Sequence, residues 1–373
     1  MNGAPERLHY IDNLRVFLSV LVIVHHCAGA WTIGNSPIQD TATSMPLNIL
    51  CGVNASFFMG AFFLVSGYFH PPTLHKKGMR RFILDRFQRL ALPALVYGCT
   101  VMPLTGYWLH FYVQDHGTPP GLFEILPRYF SEQFGFGHLW FVVMLFVFSI
   151  AYALIAGASK ARQGDTKTQD TNGSRLQLGL ALLTAVLFVV TFVVRVWYPQ
   201  NTWVEFPWPI SFEPAHLPQY AIMFAVGVYA FHSQLFARLG PRTGVAWTAL
   251  GIVPTLALAP VFMADAFLGS GVTLAGGISA LREAFMCVGL CVGLVVLFRY
   301  KCNRTGGLLR FLSRNAYAAY IVHMPLVYAL QYLVIPWQLD PVAKFLVVAT
   351  AAVPAAFVTA GLITRIPGVK RVL

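Results

Sequence analysis

Charge is what this chain has least of. Asp, Glu, Lys and Arg together make up 11% of its 373 residues, while 57% are hydrophobic. Soluble globular domains carry about 25% charged residues, so that class is excluded. Acidic residues are the scarcest, 14 against 26 basic ones, which leaves a net charge of +12. There is no disulfide framework to expect outside the membrane: Cys27, Cys51, Cys99, Cys287 and Cys291 fall inside apolar runs, and Cys302 lies in a basic stretch. No Cys/His spacing reads as a zinc site, so no metal is expected. Internal repeats and matched pairs of Gly/Pro-broken helices are also missing, and many transporters are built from them.

What remains is a series of apolar runs, each near the roughly 20 residues a helix needs to span a bilayer. They cover Leu14–Ile33, Ile49–Phe69, Leu90–Val113, His138–Ala156 and Leu176–Trp197 in the first half. Leu217–Phe231, Val245–Met263, Gly276–Phe298, Ala316–Ile335 and Val342–Ile363 follow. The expected fold is therefore an all-α polytopic membrane protein of about ten spans, one domain over residues 1–373, embedded in the cell's inner (plasma) membrane. The first run is expected to be retained rather than cleaved at Ala28-Gly29-Ala30, because its apolar character continues past that point.

The basic residues are not scattered. Lys76, Lys77, Arg80, Arg81, Arg86 and Arg89 follow span two, Lys160, Arg162, Lys167 and Arg175 follow span four, and Arg238 and Arg242 follow span six. Arg299, Lys301, Arg304, Arg310 and Arg314 follow span eight, and Arg365, Lys370 and Arg371 follow span ten. The alternate loops carry Asp40, Asp115, Glu124, Glu132, Glu205, Glu213, Asp265 and Asp340, with Arg128 and the flanking Lys344 as their few cations. This positive-inside pattern puts both termini in the cytoplasm and reads the basic excess as topology, with a lipid bilayer rather than nucleic acid as the partner. Lys160–Ser174 reads as a flexible polar loop, and the aromatic, Pro-rich outer loops Gln114–Gly137 and Pro199–Pro214 read as elements that fold back. Gly289 and Gly293 form a small-xxx-small pair for helix packing.

The first span carries ionisable groups that a mere anchor does not need. On a helix, Arg15 and His26 differ by only about 20° in azimuth, and Asp12 and Ser19 lie within roughly 40° of that stripe. His25 points about 80° away. The stripe climbs about 16 Å from Arg15 to His26, a gap that a long, slender ligand such as an acyl thioester of coenzyme A could bridge. Its phosphates would sit with cations at the cytoplasmic mouth, where arginine's fork of donors suits phosphate oxygens. His26, with an ordinary pKa near 6.5, can take a proton from an acceptor hydroxyl as it attacks the thioester. Ser19 and Cys27 are read as packing.

At these residues the chain resembles the acyltransferase-3 family of integral-membrane acyltransferases, which acylate sugars and other envelope molecules. The family's hallmark of Arg or Lys, ten residues, then His in the first span is matched by Arg15 and His26, following "DNLR" (Asp12–Arg15). "FFLVSGYF" (Phe62–Phe69), "RRFILDRFQRLALP" (Arg80–Pro93), "GHLWFV" (from Gly137), "LREAF" (around Glu283) and "SRNAYAAYIVHMPL" (from Ser313) resemble later landmarks in order. The resemblance implies acyl-CoA, most simply acetyl-CoA, as donor and a hydroxylated acceptor, a sugar or another envelope molecule, with His26, Arg15 and Glu283 at the chemistry. It further implies donor contacts by Arg80, Arg81, Arg86 and Arg89 and substrate contacts by Asp12, Ser66 and His323. A stand-alone enzyme, without the hydrolase-like domain of larger members, is expected. Glu283 is expected either to orient His26 or the acceptor, or to form an ion pair for which Arg195 is a candidate. The alternative class is a transporter or proton-coupled carrier that uses His26, Arg282 and Glu283 as a relay.

Overall fold

In a bilayer every backbone polar group must be satisfied internally, and the apolar runs accordingly fold as helices. The structure, a computed structural model, describes residues 8–34, 36–114, 118, 121–158, 173–206, 208–265 and 272–372. Helix α1 (His9–Ala28) has Asp12 in its first turn, where the helix dipole favours negative charge, and passes into a 3-10 turn at Gly29–Trp31. Helix α2 (Met45–Lys77) opens with a proline in its first turn, runs through Pro71 and Pro72, and ends at Gly78. Gly78 has φ +72°, a left-handed value that favours glycine, and it turns the chain directly into α3 (Met79–Arg86).

That corner corrects one expectation. The basic segment from Lys76 through Arg89 is helical on both sides of Gly78, rather than a loop. The reason is amphipathicity: Phe82 is fully buried while Arg80 and Arg81 stay exposed, so one face of α3 has something to pack against. A π turn at Phe87–Ala91 joins α3 to α4 (Leu92–Trp108), and a second π turn ends that helix at Leu109–Val113.

The outer loop that follows does fold back. It contains α5 (Leu122–Arg128) and a π turn at Tyr129–Gln133, and the Tyr129 hydroxyl donates to the Gly98 carbonyl at 2.8 Å. Helix α6 (Trp140–Ala158) comes next, then α7 (Gly173–Trp197). The polar loop expected between them lies outside the described residues over 159–172, and Gly173 and Ser174 already belong to α7. The second outer loop holds a minimal hairpin, β1 (Val204–Glu205) against β2 (Ser211–Phe212), with Val204 opposite Phe212.

The second half contains α8 (Leu217–His232), the short α9 (Leu235–Arg238), α10 (Pro241–Asp265), α11 (Leu274–Lys301), α12 (Gly307–Val334), α13 (Pro341–Ile363) and the terminal α14 (Val369–Val372). Among the described residues, 8 helical stretches are long and apolar enough to cross a membrane. The other two expected spans correspond to α8, which has only 16 residues, and α10, where side chains from 258 onward lie outside the described residues.

Small residues set the tightest contacts. A Cβ on Gly67 would collide with the Phe224 carbonyl, and one on Gly227 with the Leu64 carbonyl, so α2 and α8 touch backbone to backbone. Gly67, in the "SG" of the second span, is thus a packing residue. Gly289 and Gly293 play the same part between α11 and α10, against Trp247 and Thr248.

Helix α1 packs against α2, α11, α12 and α13 and is fastened at both ends. Near its start, the Asn13 amide donates to the carbonyls of Cys302 (2.6 Å) and Arg304 (2.8 Å). At its end, the Gln331 amide of α12 donates to the carbonyls of His26 (2.9 Å) and Cys27 (3.1 Å). Beyond that end, Lys344 meets Asp40 at 2.7 Å, and the same carboxylate accepts from the Trp31 indole. Burial alone would push the Asp40 carboxyl up, but Lys344 and Trp31 hold it below the ordinary carboxylate value.

Candidate active site

The site begins with a helix that lacks one hydrogen bond. Pro325 lies inside α12 and has no N–H, so the carbonyl four residues before it, that of Ile321, has no helical donor. His138 supplies one from another element. Its Nε2 donates to the Ile321 carbonyl at 3.1 Å and to the Tyr320 carbonyl at 3.2 Å. His138 is delivered by a 3-10 turn, Gly137–Leu139, whose glycine has φ +51° and whose missing side chain leaves room for Met102. Tyr97 meets the His138 ring edge-on at 5.1 Å, and the Tyr320 hydroxyl donates back to the His138 carbonyl.

Around this pair the histidines gather. His323 meets the His138 ring edge-on at 4.8 Å between ring centroids and the His26 ring at a tilt at 5.2 Å. His323 Nδ1 donates to the Tyr320 carbonyl at 2.6 Å, which fixes its tautomer and leaves Nε2 as a lone pair with no hydrogen-bond partner. His323 is 0% exposed, whereas His26 is only half-buried, so His26 is the ring that a substrate can reach. His25 packs on Phe58 at 5.0 Å and meets the His26 ring edge-on at 5.5 Å, while His323 makes its own contact with that ring. Sequence reasoning missed His138, reading "GHLW" as a landmark at the outer interface. The signals were present: a glycine immediately before it, and a proline in α12 that frees a carbonyl.

Below the histidines, Arg15 lies exposed on the continuous helix α1, about 16 Å down its axis from His26. Arg86 is close enough to Arg15 and Arg89 for their charges to act on it, and its guanidinium stacks over Phe82 at 5.0 Å. Arg89 meets Asp85 at 3.2 Å, as does Lys77 at 2.6 Å, and the Tyr317 hydroxyl of α12 donates to the Arg89 carbonyl. So Arg15, Arg86 and Arg89 share one mouth, with Arg80 and Arg81 exposed on the same short helix, and Asp12 one turn before Arg15 on α1. Ser66 lies on α2 eight residues beyond Phe58, hence about 12 Å from the level of His25 toward that mouth. Its carbonyl accepts from His70 Nδ1 at 2.7 Å.

Glu283 is elsewhere. Its Oε2 is bonded to Arg195 Nη2 at 2.7 Å and to Gln200 at 3.3 Å, and His216 approaches its other oxygen at 3.5 Å. Arg195 is 4% exposed, so it forms the buried pair rather than reaching to the outer interface. His216, just before α8, also meets Glu213 at 2.8 Å. Burial by itself would lower the His216 pKa, but the Glu283 and Glu213 carboxylates outweigh it and raise it to about 9. The structure therefore groups Glu283 with Arg195, His216 and Glu213 near the aromatic outer loop, and groups His26 with His323 and His138. Arg282, adjacent in sequence, points to Met286.

Two assemblies on one chain, a histidine cluster above a cationic mouth, fit a transferase better than a relay, and comparison with known proteins decides the class. The acyltransferase-3 family model, described as an acyltransferase domain, matches residues 8–363. The chain belongs to the acyltransferase-3 family. It is a multi-pass membrane acyltransferase. Among its relatives is the Glucans biosynthesis protein C of Shigella dysenteriae serotype 1, 24% identical over 52% of this chain and 50% of that protein. The protein of the same name from Salmonella schwarzengrund is 23% identical over 64% of this chain and 62% of its own length. That of Escherichia coli K12 is 23% identical over 52% and 50%. The chain thus spans between half and two thirds of the curated relatives it matches. No solved structure matches it.

Proposed function

We propose that this acyltransferase moves an acyl group, acetyl in the simplest case, from cytoplasmic acyl-CoA to a hydroxyl of a carbohydrate in the cell envelope, working in the inner membrane with both termini in the cytoplasm. The observation that carries the reading is the half-buried His26 against the enclosed His323, on the same helix as Arg15. The relatives' name, Glucans biosynthesis protein C, supports a glucan-like acceptor.

The chemistry uses few groups. His26 accepts the proton of the acceptor hydroxyl while its oxygen attacks the thioester carbonyl; the C–S bond breaks, and the coenzyme A sulfur takes that proton from His26. His323 acts as a positioning residue: its Nδ1–H is committed to Tyr320, so its Nε2 can accept from His26 and orient that ring. Arg15, Arg80, Arg81, Arg86 and Arg89 hold the donor phosphates, Asp12 sets the charge at the mouth, and Ser66 lies along the donor arm. Glu283 orders the outer end, where the acceptor arrives, acting through Arg195 and His216.

The direct test is acetyl transfer by purified protein from acetyl-CoA to a panel of glucans and other envelope sugars. A protein that releases coenzyme A with none of them sinks the carbohydrate reading. Within it, replacing Arg86 and Arg89 together by Gln should raise the Michaelis constant for acetyl-CoA more than it lowers turnover. Each lost charge-assisted contact is worth about 1.5–3 kcal/mol, and unchanged donor binding would leave these residues a topological role only. Topology is read by cysteine labelling: a membrane-impermeant reagent should mark a Thr118→Cys variant in intact cells and leave an Asp170→Cys variant unmarked. The reverse pattern rules out the orientation.

A further inference from the structure

A second cationic site lies on the same face as the donor mouth but around the flank of the bundle. Between the start of α12 and the end of α13 opens a cavity of about 1170 Å³. Arg310 and Arg314 of α12 line it from one side, and Arg365 and Lys370, beyond α13, from the other. Among the described residues none of these four cations forms a salt bridge. The N-terminal turn of α12, beginning at Gly307, adds the positive end of a helix dipole to the same wall.

The cavity is built rather than incidental. Its floor is closed by Thr364 Oγ1 donating to Asn315 Oδ1 at 3.0 Å, which staples the end of α13 to α12. Phe311 packs over Gly361, where a Cβ would come within 3.0 Å of the ring. Its rim is apolar: Phe311 and Ile366 are 39% and 52% exposed, and the neighbouring Leu308 is 71% exposed. Exposed apolar side chains beside unpaired cations at the end of a spanning helix match the boundary between headgroups and acyl chains.

The flank also separates this cavity from the donor mouth. Around α12, Arg310 and Arg314 lie roughly 80° and 120° from Tyr320, which faces His138. Tyr317, whose hydroxyl is fastened to the Arg89 carbonyl, lies about 60° from Tyr320, nearer Arg310 than Arg314. The residues lining this cavity come from the start of α12 and from the end of α13 onward, and none of Arg15, Arg80, Arg81, Arg86 or Arg89 is among them.

We propose that this cavity binds the phosphate of an anionic phospholipid headgroup from the surrounding leaflet, clamping α12 to α13 where the chain's last helices meet. The inference is independent of the acyl-CoA reading, because none of its residues is placed in the donor mouth. The test uses the full chain, purified and delipidated in detergent, with thermal stability and lipid retention as readouts. Phosphatidylglycerol should raise the unfolding temperature and stay bound by native mass spectrometry, while phosphatidylcholine should do neither. In a variant carrying R310Q, R314Q, R365Q and K370Q, retention of phosphatidylglycerol should weaken by at least about tenfold, since each basic residue near an anionic surface contributes about a factor of five. Lys at the three arginine positions should restore most of it, which separates charge from folding defects. Acetyl-CoA Michaelis constants should be the same in wild type and variants. Equal stabilisation by phosphatidylcholine, or unchanged retention in the Gln variant, overturns the site. Equal protection by inorganic phosphate or by coenzyme A overturns the lipid as its occupant.

Discussion

His26→Ala is expected to lower acyl transfer by about 10²–10⁴-fold, the usual cost of losing a general base, while donor binding stays near wild type. The geometry makes the neighbouring His25→Ala the control. His25 packs on Phe58 and touches His26 only by a ring edge, with no ring contact to His323, so its removal should cost much less at matched levels of folded protein. His323→Ala should resemble a weaker His26→Ala, with turnover reduced, because it removes the group that orients the base rather than the base itself. A shifted pH profile for His323→Gln would mark that positioning role, which a purely structural residue would not produce. Comparable losses at His25 and His26 would undo the assignment, and an active His26→Ala enzyme would remove the proposed base.

The second large effect is on stability. Glu283 is 3% exposed and paired with Arg195, so Glu283→Ala leaves a buried guanidinium without its main partner and should destabilise the protein by about 3–5 kcal/mol. Replacing both, as E283L with R195M, should recover most of that loss, since a well-packed apolar pair avoids burying any charge. If Glu283 acted directly on the His26 proton, the double variant would fold yet lose turnover as completely as His26→Ala. The placement predicts instead a raised Michaelis constant for the acceptor. The same cluster carries a pH signature. His216 binds its proton more tightly when folded, about 9 against an ordinary 6.5, so its contribution is fully present below pH 6.5 and is lost as pH rises through about 9. Unfolding followed from pH 6 to 10 should show that decline in wild type and lack it in His216→Gln.

Much of this was readable from the chain. The alignment of Arg15 with His26, and the divergence of His25, follow from helical geometry alone, because α1 is one uninterrupted helix. Charge in the loops and apolar run length gave the helical, membrane-spanning class. The helical form of the basic segment near Arg80 is not legible in its charge, which reads as a topology signal; the buried face of α3 rests on Phe82 and so appears only in three dimensions. His138 is a long-range contact: its partner carbonyls lie some 180 residues away in α12, so Gly137 and Pro325 point to it only when taken together. Glu283 was recognised as an expensive buried charge, and Arg195 was a candidate for it. Which end of the bundle that pair occupies depended on His216 and Glu213, which join it only through the packing of α7, α8 and α11.

The two amide clamps on α1 have a consequence for size selection. Asn13 grips two carbonyls near one end, Gln331 grips two at the other, and a one-turn slip of about 5.4 Å would break all four bonds. The distance from Arg15 to His26 is set by α1 being one uninterrupted helix, and the clamps hold that ruler in place against the helices around it. On the donor reading, a thioester is measured by the length of its own arm: truncated analogues that keep the acyl group but lack the phosphate end cannot touch both marks at once. On the same reading, movement that admits and releases the donor is expected at α3, held between the Gly78 joint with α2 and the π turn into α4, while α1 stays in place.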